Sequence, residues 1–131
     1  MAKEAIIPND VAEVRKKYWY SHAIKAGNTI YLAGQVAWDE KGNLVGKGDP
    51  AVQMRQIYEN IRRVLKASGA TMQDIVKLTY YCRDISLVFK TTGAFKEYFG
   101  DHYPPSTMLQ ISRLWHEDYL FEVDATAVVD K

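Results

Sequence analysis

Between Pro50 and Ser68 the apolar positions return at helical spacing. Met54, Ile57, Tyr58, Ile61, Val64, Leu65 and Ser68 share one stripe, while Arg55, Glu59, Arg62, Arg63 and Lys66 lie mostly off it. Asp49 is placed to cap this helix, Pro50 suits its first position and Gly69 its stop. A second amphipathic stretch, Ser86 to Phe99, ends before Gly100; its interior Gly93 weakens it. Elsewhere the period is two. From Thr29 to Val36, Ile30, Leu32 and Gly34 alternate with Thr29, Tyr31 and Ala33, which predicts a strand after a turn at Ala26-Gly27-Asn28. The Tyr- and Trp-rich segment Val14 to Ser21 reads as a strand before that turn. Thr71 to Asp74 reads as one short turn and Ile75 to Arg83 as a strand. Thr107 to Leu114 and Tyr119 to Val129 read as closing strands with Trp115 to Asp118 as a hairpin connection. The order β-β-α-β-α-β-β predicts an α+β fold, one mixed sheet with two helices on one face.

The last strand shows what the other face holds. Phe121, Val123, Ala125, Ala127 and Val129 are expected under the helices. Leu120, Glu122, Asp124, Thr126 and Val128 point the opposite way. A half-solvated face is one reading of that mixture. Tyr31 and Ala33 oppose Ile30 and Leu32 in the same manner, and Ile75 to Cys82 is apolar on both sides. Helices that cover one face leave the other in want of a partner, and self-association supplies one. A chain of 131 residues has a limited core of its own, which favours the same remedy.

Composition narrows the function. With 47% hydrophobic and 25% charged residues the chain reads as one ordered globular domain over residues 1–131. A net charge of +1 and the lack of a basic, aromatic stripe argue against nucleic acid and anionic membrane surfaces. No apolar run approaches the roughly 20 residues of a membrane span. Cys82 is the sole cysteine, so no intrachain disulfide forms and a cytoplasmic setting is expected. It ends a strand with no evident base nearby and reads as a structural thiol. His22, His102 and His116 lack metal-ligand spacing, so no metal is expected; His22 stands out only by following Tyr20 by two residues. Ser106 has no nucleophile elbow around it. Gly42 to Gly48 lacks the Gly-Lys-Ser/Thr of a phosphate loop. No cofactor is implied. Glu122 and Asp124 lie two apart on one strand face, where they either satisfy buried polar partners or subunit contacts, or let Glu122 handle water or a proton with its pKa raised by burial and by Asp124.

Several separated motifs then occur in one order. Residues 20–35, Tyr-Ser-His-Ala-Ile-Lys-Ala-Gly-Asn-Thr-Ile-Tyr-Leu-Ala-Gly-Gln, resemble the N-terminal signature of the reactive intermediate deaminase (Rid/YjgF) family, also called endoribonuclease L-PSP. The segments 56–70, 74–79, Arg83-Asp84, Tyr103 to Thr107 and Arg113 through Ala127 are similar to that family's later motifs. The resemblance spans about residues 18–129. It implies a chorismate-mutase-like domain, a homotrimer whose sheets build a central barrel, and small-molecule clefts between subunits. It also implies hydrolysis of enamines and imines such as 2-aminoacrylate to 2-oxo acids and ammonia, without metal.

Carried over residue by residue, the resemblance makes Tyr20 a pocket wall, Gly34 the backbone position beside the pocket and Glu122 the catalytic group that manages water. Thr92 falls where many relatives carry an asparagine. Ser106, in Pro104-Pro105-Ser106-Thr107, falls where deaminases hold the substrate carboxylate with an arginine. A hydroxyl replaces a charged bidentate fork there, which removes about 1.5–3 kcal/mol per charged hydrogen bond. Arg113, Lys25 and His22 are the candidate replacements. Three functions follow: an enamine or imine deaminase with an unusual substrate, a ligand-binding or regulatory trimer, and, least favoured by the charge, an endoribonuclease or translation inhibitor. The cleft is expected to combine Tyr20, Gly34, Ser106 and Glu122 with residues of the Ile75 to Arg83 strand.

Overall fold

The computed structural model describes residues 2–130. The chain runs β1 (Lys3–Ile6), α1 (Arg15–Tyr18), β2 (Ala23–Ala26), β3 (Thr29–Gln35), α2 (Pro50–Ala67), β4 (Ile75–Cys82), α3 (Thr92–Phe99), β5 (Ser106–Gln110) and β6 (Phe121–Val128). Short 3-10 turns occupy Met72–Asp74 and Ile85–Lys90. One mixed sheet has the order β1-β2-β3-β6-β4-β5, antiparallel throughout except for the parallel pair β4 and β5. The α+β class stands, with six strands where the alternation suggested five.

The long helix forms for the reasons its sequence gives. Asp49 accepts a hydrogen bond from the Val52 N–H, Pro50 opens the first turn, and Gly69 follows with φ 84°. Its stripe from Met54 to Ser68 is buried against the sheet. The same face carries two buried amides. Gln53 donates to the carbonyls of Gly46 and Asp118 and accepts from the Leu120 N–H. Asn60 donates to the carbonyls of Val36 and Trp38. These bonds tie α2 to the segments that follow β3 and precede β6.

Four expectations need correction. Val14 to Ser21 is not a strand: residues 15–17 are consecutive basic groups that cannot alternate into a core, and Glu13 instead accepts from the N–H groups of Arg15 and Lys16 to start one helical turn. Ala23–Ala26 takes the strand's place, and Lys3–Ile6 adds an edge beyond it. Ser86 to Phe99 is broken at Thr91 into a 3-10 turn and α3, and Phe89 on the turn is 80% exposed. The Trp115 to Asp118 connection is no hairpin. β5 returns through α3 to lie parallel to β4, and β6 inserts between β3 and β4. The central place suits β6, whose Phe121, Val123, Ala125 and Ala127 are all buried. Finally, β5 spans only Ser106–Gln110, and its residues are exposed.

The helices lie on one face. On the other, Tyr31, Leu109 and Val128 are exposed beside Thr126, Asp124 and Glu122. The Tyr81 hydroxyl donates to Asp124 at 3.0 Å.

Candidate functional site

The regular alternation of β3 breaks just before its end. Leu32 faces Ala125 on β6, but Gln35 faces Val123, so two residues, Ala33 and Gly34, stand against one, Asp124. This bulge turns Gly34 away from the Ile30 and Leu32 side, where strict alternation placed it, and sets Gln35 in the core. A network beneath holds the shape. The His22 Nε2–H donates to the Ala12 carbonyl at 2.7 Å, and Gln35 donates to His22 Nδ1 at 3.0 Å. Both ring nitrogens are engaged in the neutral form, and burial holds the His22 pKa below its ordinary value.

Gly34 leaves room for the Glu122 side chain. A β-carbon at residue 34 would stand 1.9 Å from Glu122 Oε2 and 2.6 Å from its carboxyl carbon. Tyr20, Gly34, Glu122, Ala33, Val36 and Trp115 enclose a cavity of about 280 Å³. Among the described residues none donates a hydrogen bond to the Glu122 carboxylate. Burial, then the negative charge of Asp124, pushes its pKa above the usual carboxylate value. Tyr20 is pushed up to about 12 by burial and then by Glu122, so its hydroxyl keeps its proton near neutrality. The arrangement offers a partly buried proton acceptor beside a phenolic donor, facing a small space.

Tyr20 reaches this place through a left-handed residue. Trp19 ends α1 with φ 64° and ψ 41°, and its side chain is 86% exposed. The reversal brings Tyr18 and Tyr20 to a common depression with Trp38 and Trp115.

The other predicted residues lie elsewhere on the chain. Ser106 and Thr92 line a second cavity of about 770 Å³ between α3 and the edge of β5, with Tyr80, Phe89, Lys96 and Met108 among its walls. Ser106 is paired with buried Leu78 and so lies on the helix side of the sheet, whereas Glu122 is paired with Tyr81 on the opposite face. Within one chain the five residues therefore fall in two separate cavities. The Ser106 hydroxyl donates to the Pro104 carbonyl at 3.0 Å.

None of the three candidate cations lines either cavity. Lys25 donates to the Ser68 carbonyl at the end of α2, Arg113 donates to the Leu114 carbonyl, and His22 is buried and neutral. Residues that the sequence did not single out are Lys96 in the larger cavity and Tyr18, Trp38 and Trp115 beside the smaller one. The aromatic three sit in segments without periodicity, and only the fold gathers them. Cys82 is fully buried, and burial raises its pKa to about 11, which suits a structural thiol. Among the described residues no cluster of three or more metal-ligating side chains occurs, and no helix is long and apolar enough to cross a membrane.

Comparison with known proteins agrees with this architecture. The family model described as endoribonuclease L-PSP matches residues 12–129. A RutC family protein of Pyrococcus horikoshii is 41% identical over 108 residues, covering 82% of this chain and 85% of the relative. A protein of Dermatophagoides farinae named 2-iminobutanoate/2-iminopropanoate deaminase is 28% identical over 111 residues, covering 85% of this chain and 86% of the relative. The crystal structure of the Rid family protein YyfA from Yersinia pestis superposes with a TM-score of 0.89 at 28% identity, covering 98% of this chain and 100% of that one. From the bulged β3 to the central β6, and over nearly its whole length, this chain belongs to the endoribonuclease L-PSP family, the family of the Rid and YjgF proteins.

Proposed function

We propose that this protein hydrolyses a reactive imine or enamine, with Glu122 as the group that handles water, in a cleft completed by a second copy of the chain. The observation that carries the reading is the Gly34 and Glu122 contact: a carboxylate with a raised pKa is held free of protein donors in a cavity beside Tyr20. The chemistry such a group performs is direct. As water adds to the carbon of a protonated imine, Glu122 takes the water proton and the C–O bond forms. It then returns that proton to nitrogen, the C–N bond breaks, and the remaining hydroxyl proton leaves with ammonia as ammonium. The products are a carbonyl compound and ammonium, with no net change in oxidation state.

The cleft reading rests on the two separate cavities. Glu122 and Ser106 occupy opposite faces of one sheet, and the face that carries Glu122 is uncovered and partly apolar. A trimer built on that face joins the Ser106 cavity of one copy to the Glu122 cavity of the next. The substrate class differs from that of the deaminases named for 2-imino acids. Ser106 offers one hydroxyl, already turned to its own backbone, in the position of the carboxylate-gripping arginine.

That same substitution favours a second reading, a trimer that binds a small ligand without turning it over. Ammonia release from imines generated in place by an oxidase separates the two. Catalysis predicts release faster than the spontaneous rate and its loss in Glu122→Gln; a binding protein leaves the spontaneous rate unchanged.

A further inference from the structure

We propose that the aromatic depression beside Glu122 is a cation-binding subsite, and that the ligand it selects is a compact organic cation without a carboxylate, such as an alkyl iminium or ammonium. The proposal rests on the catalytic reading above for its link to turnover, but its geometry stands alone. Three rings cluster at the depression. Trp38 and Trp115 have centroids 5.5 Å apart, and Tyr18 lies 5.9 Å from each. With Tyr20 they line a space of about 270 Å³. The cavity that holds Glu122 shares Tyr20 and Trp115 with this one, so the two adjoin.

Charge selects the ligand. Ring faces carry negative potential and attract cations. Glu122 adds a carboxylate, with Asp124 two residues beyond it on the same strand face. Among the described residues no lysine or arginine lines either cavity, so an anionic substrate meets no counter-charge there. Volume sets the upper size. A space of about 270 Å³ admits a group of a few carbons around nitrogen, not a second ring system. A protonated imine held there carries its electrophilic carbon toward Glu122, and the cation is the form that water attacks.

The test uses unreactive probes on the full-length protein and does not depend on turnover. Choline, its neutral isostere 3,3-dimethylbutan-1-ol and the anion 3,3-dimethylbutanoate have nearly the same shape, and binding is followed on their methyl resonances. Choline is expected to bind about 10-fold more tightly than the alcohol, and the anion more weakly still. Trp115 is 54% exposed, so Trp115→Ala retains the fold and is expected to weaken choline about 10-fold, while Trp115→Phe keeps most of the affinity. Equal or tighter binding of the alcohol, or no effect of Trp115→Ala, overturns the proposal. If choline fails to bind while Glu122-dependent ammonia release persists, the subsite is wrong and the catalytic reading stands. If choline binds as expected and no imine is hydrolysed, the reverse holds.

Discussion

Gly34 and Glu122 are bound by exclusion: the space a β-carbon would take at residue 34 is already filled by the Glu122 carboxylate, 1.9 Å away at Oε2. The backbone at Gly34 is not left-handed, so conformational freedom is not what glycine supplies here. It supplies room. The group in the way is the far end of a side chain, which swings aside at little cost.

Gly34→Ala is therefore expected to fold and to fail in function. Its carboxylate is displaced by an ångström or more, which costs about 100-fold in rate. Thermal unfolding and ammonia release on the same sample check this. A large fall in melting temperature with unchanged specific activity would mean that Gly34 serves the sheet and not the site.

Glu122 carries opposite consequences for stability and rate. Its folded pKa is raised, so the folded state holds the proton more firmly than the unfolded one. That stabilisation is complete below the ordinary value of 4.5 and is lost as pH rises through the higher folded pKa. Glu122→Gln is expected to melt higher than the native protein at pH 7, by a margin that shrinks toward pH 4. Its ammonia release should fall by about 100- to 10,000-fold. In the native protein the rate should climb with pH through an inflection above 4.5, because only the ionised carboxylate accepts the water proton.

The sequence carried much of this frame and lost it at identifiable places. Every residue of the Met54 to Ser68 stripe is buried, since a long amphipathic helix repeats its signal many times. The same holds for alternate residues of β6. The Trp115 to Asp118 connection reads as a hairpin because antiparallel strands joined by a short loop show the same local pattern whether they pair directly or flank a third strand; only the pairing of β4 with both β5 and β6 decides between them. The bulge at Ala33 and Gly34 was invisible to a period of two, which assumes that no residue is added. Glu122 is singled out by the resemblance to the family, and its place on the open strand face agrees with that. Trp38 and Trp115, 77 positions apart in sequence, meet only because β3 pairs with β6.

Ser106→Arg tests the missing clamp. The change should raise activity toward 2-iminopropanoate by about 10- to 100-fold, from about 1.5–3 kcal/mol of charge-assisted hydrogen bonding. Glu122→Gln in that background should remove the gain. A folded Ser106→Arg protein that gains nothing would show that the larger cavity does not meet the Glu122 of a neighbouring copy.

That meeting requires association. Light scattering at micromolar concentration is expected to give about 45 kDa, three chains of 15.0 kDa each. Tyr31→Glu, on the uncovered sheet face, should shift the mass toward the monomer and reduce ammonia release in step. A monomeric native protein would leave Ser106 and Glu122 on opposite faces of one sheet, with no common cleft.

The central claim is that Glu122 hydrolyses imines that carry no carboxylate. Its most direct measurement is the native kcat/KM for ammonia release from two imines, each formed in the assay by a flavoprotein oxidase. One comes from a simple alkylamine and the other, 2-iminopropanoate, from alanine. The account predicts faster hydrolysis of the carboxylate-free imine, by about 10-fold or more, and loss of that activity in Glu122→Gln. Efficient native hydrolysis of 2-iminopropanoate, or a spontaneous rate with both imines, would contradict it.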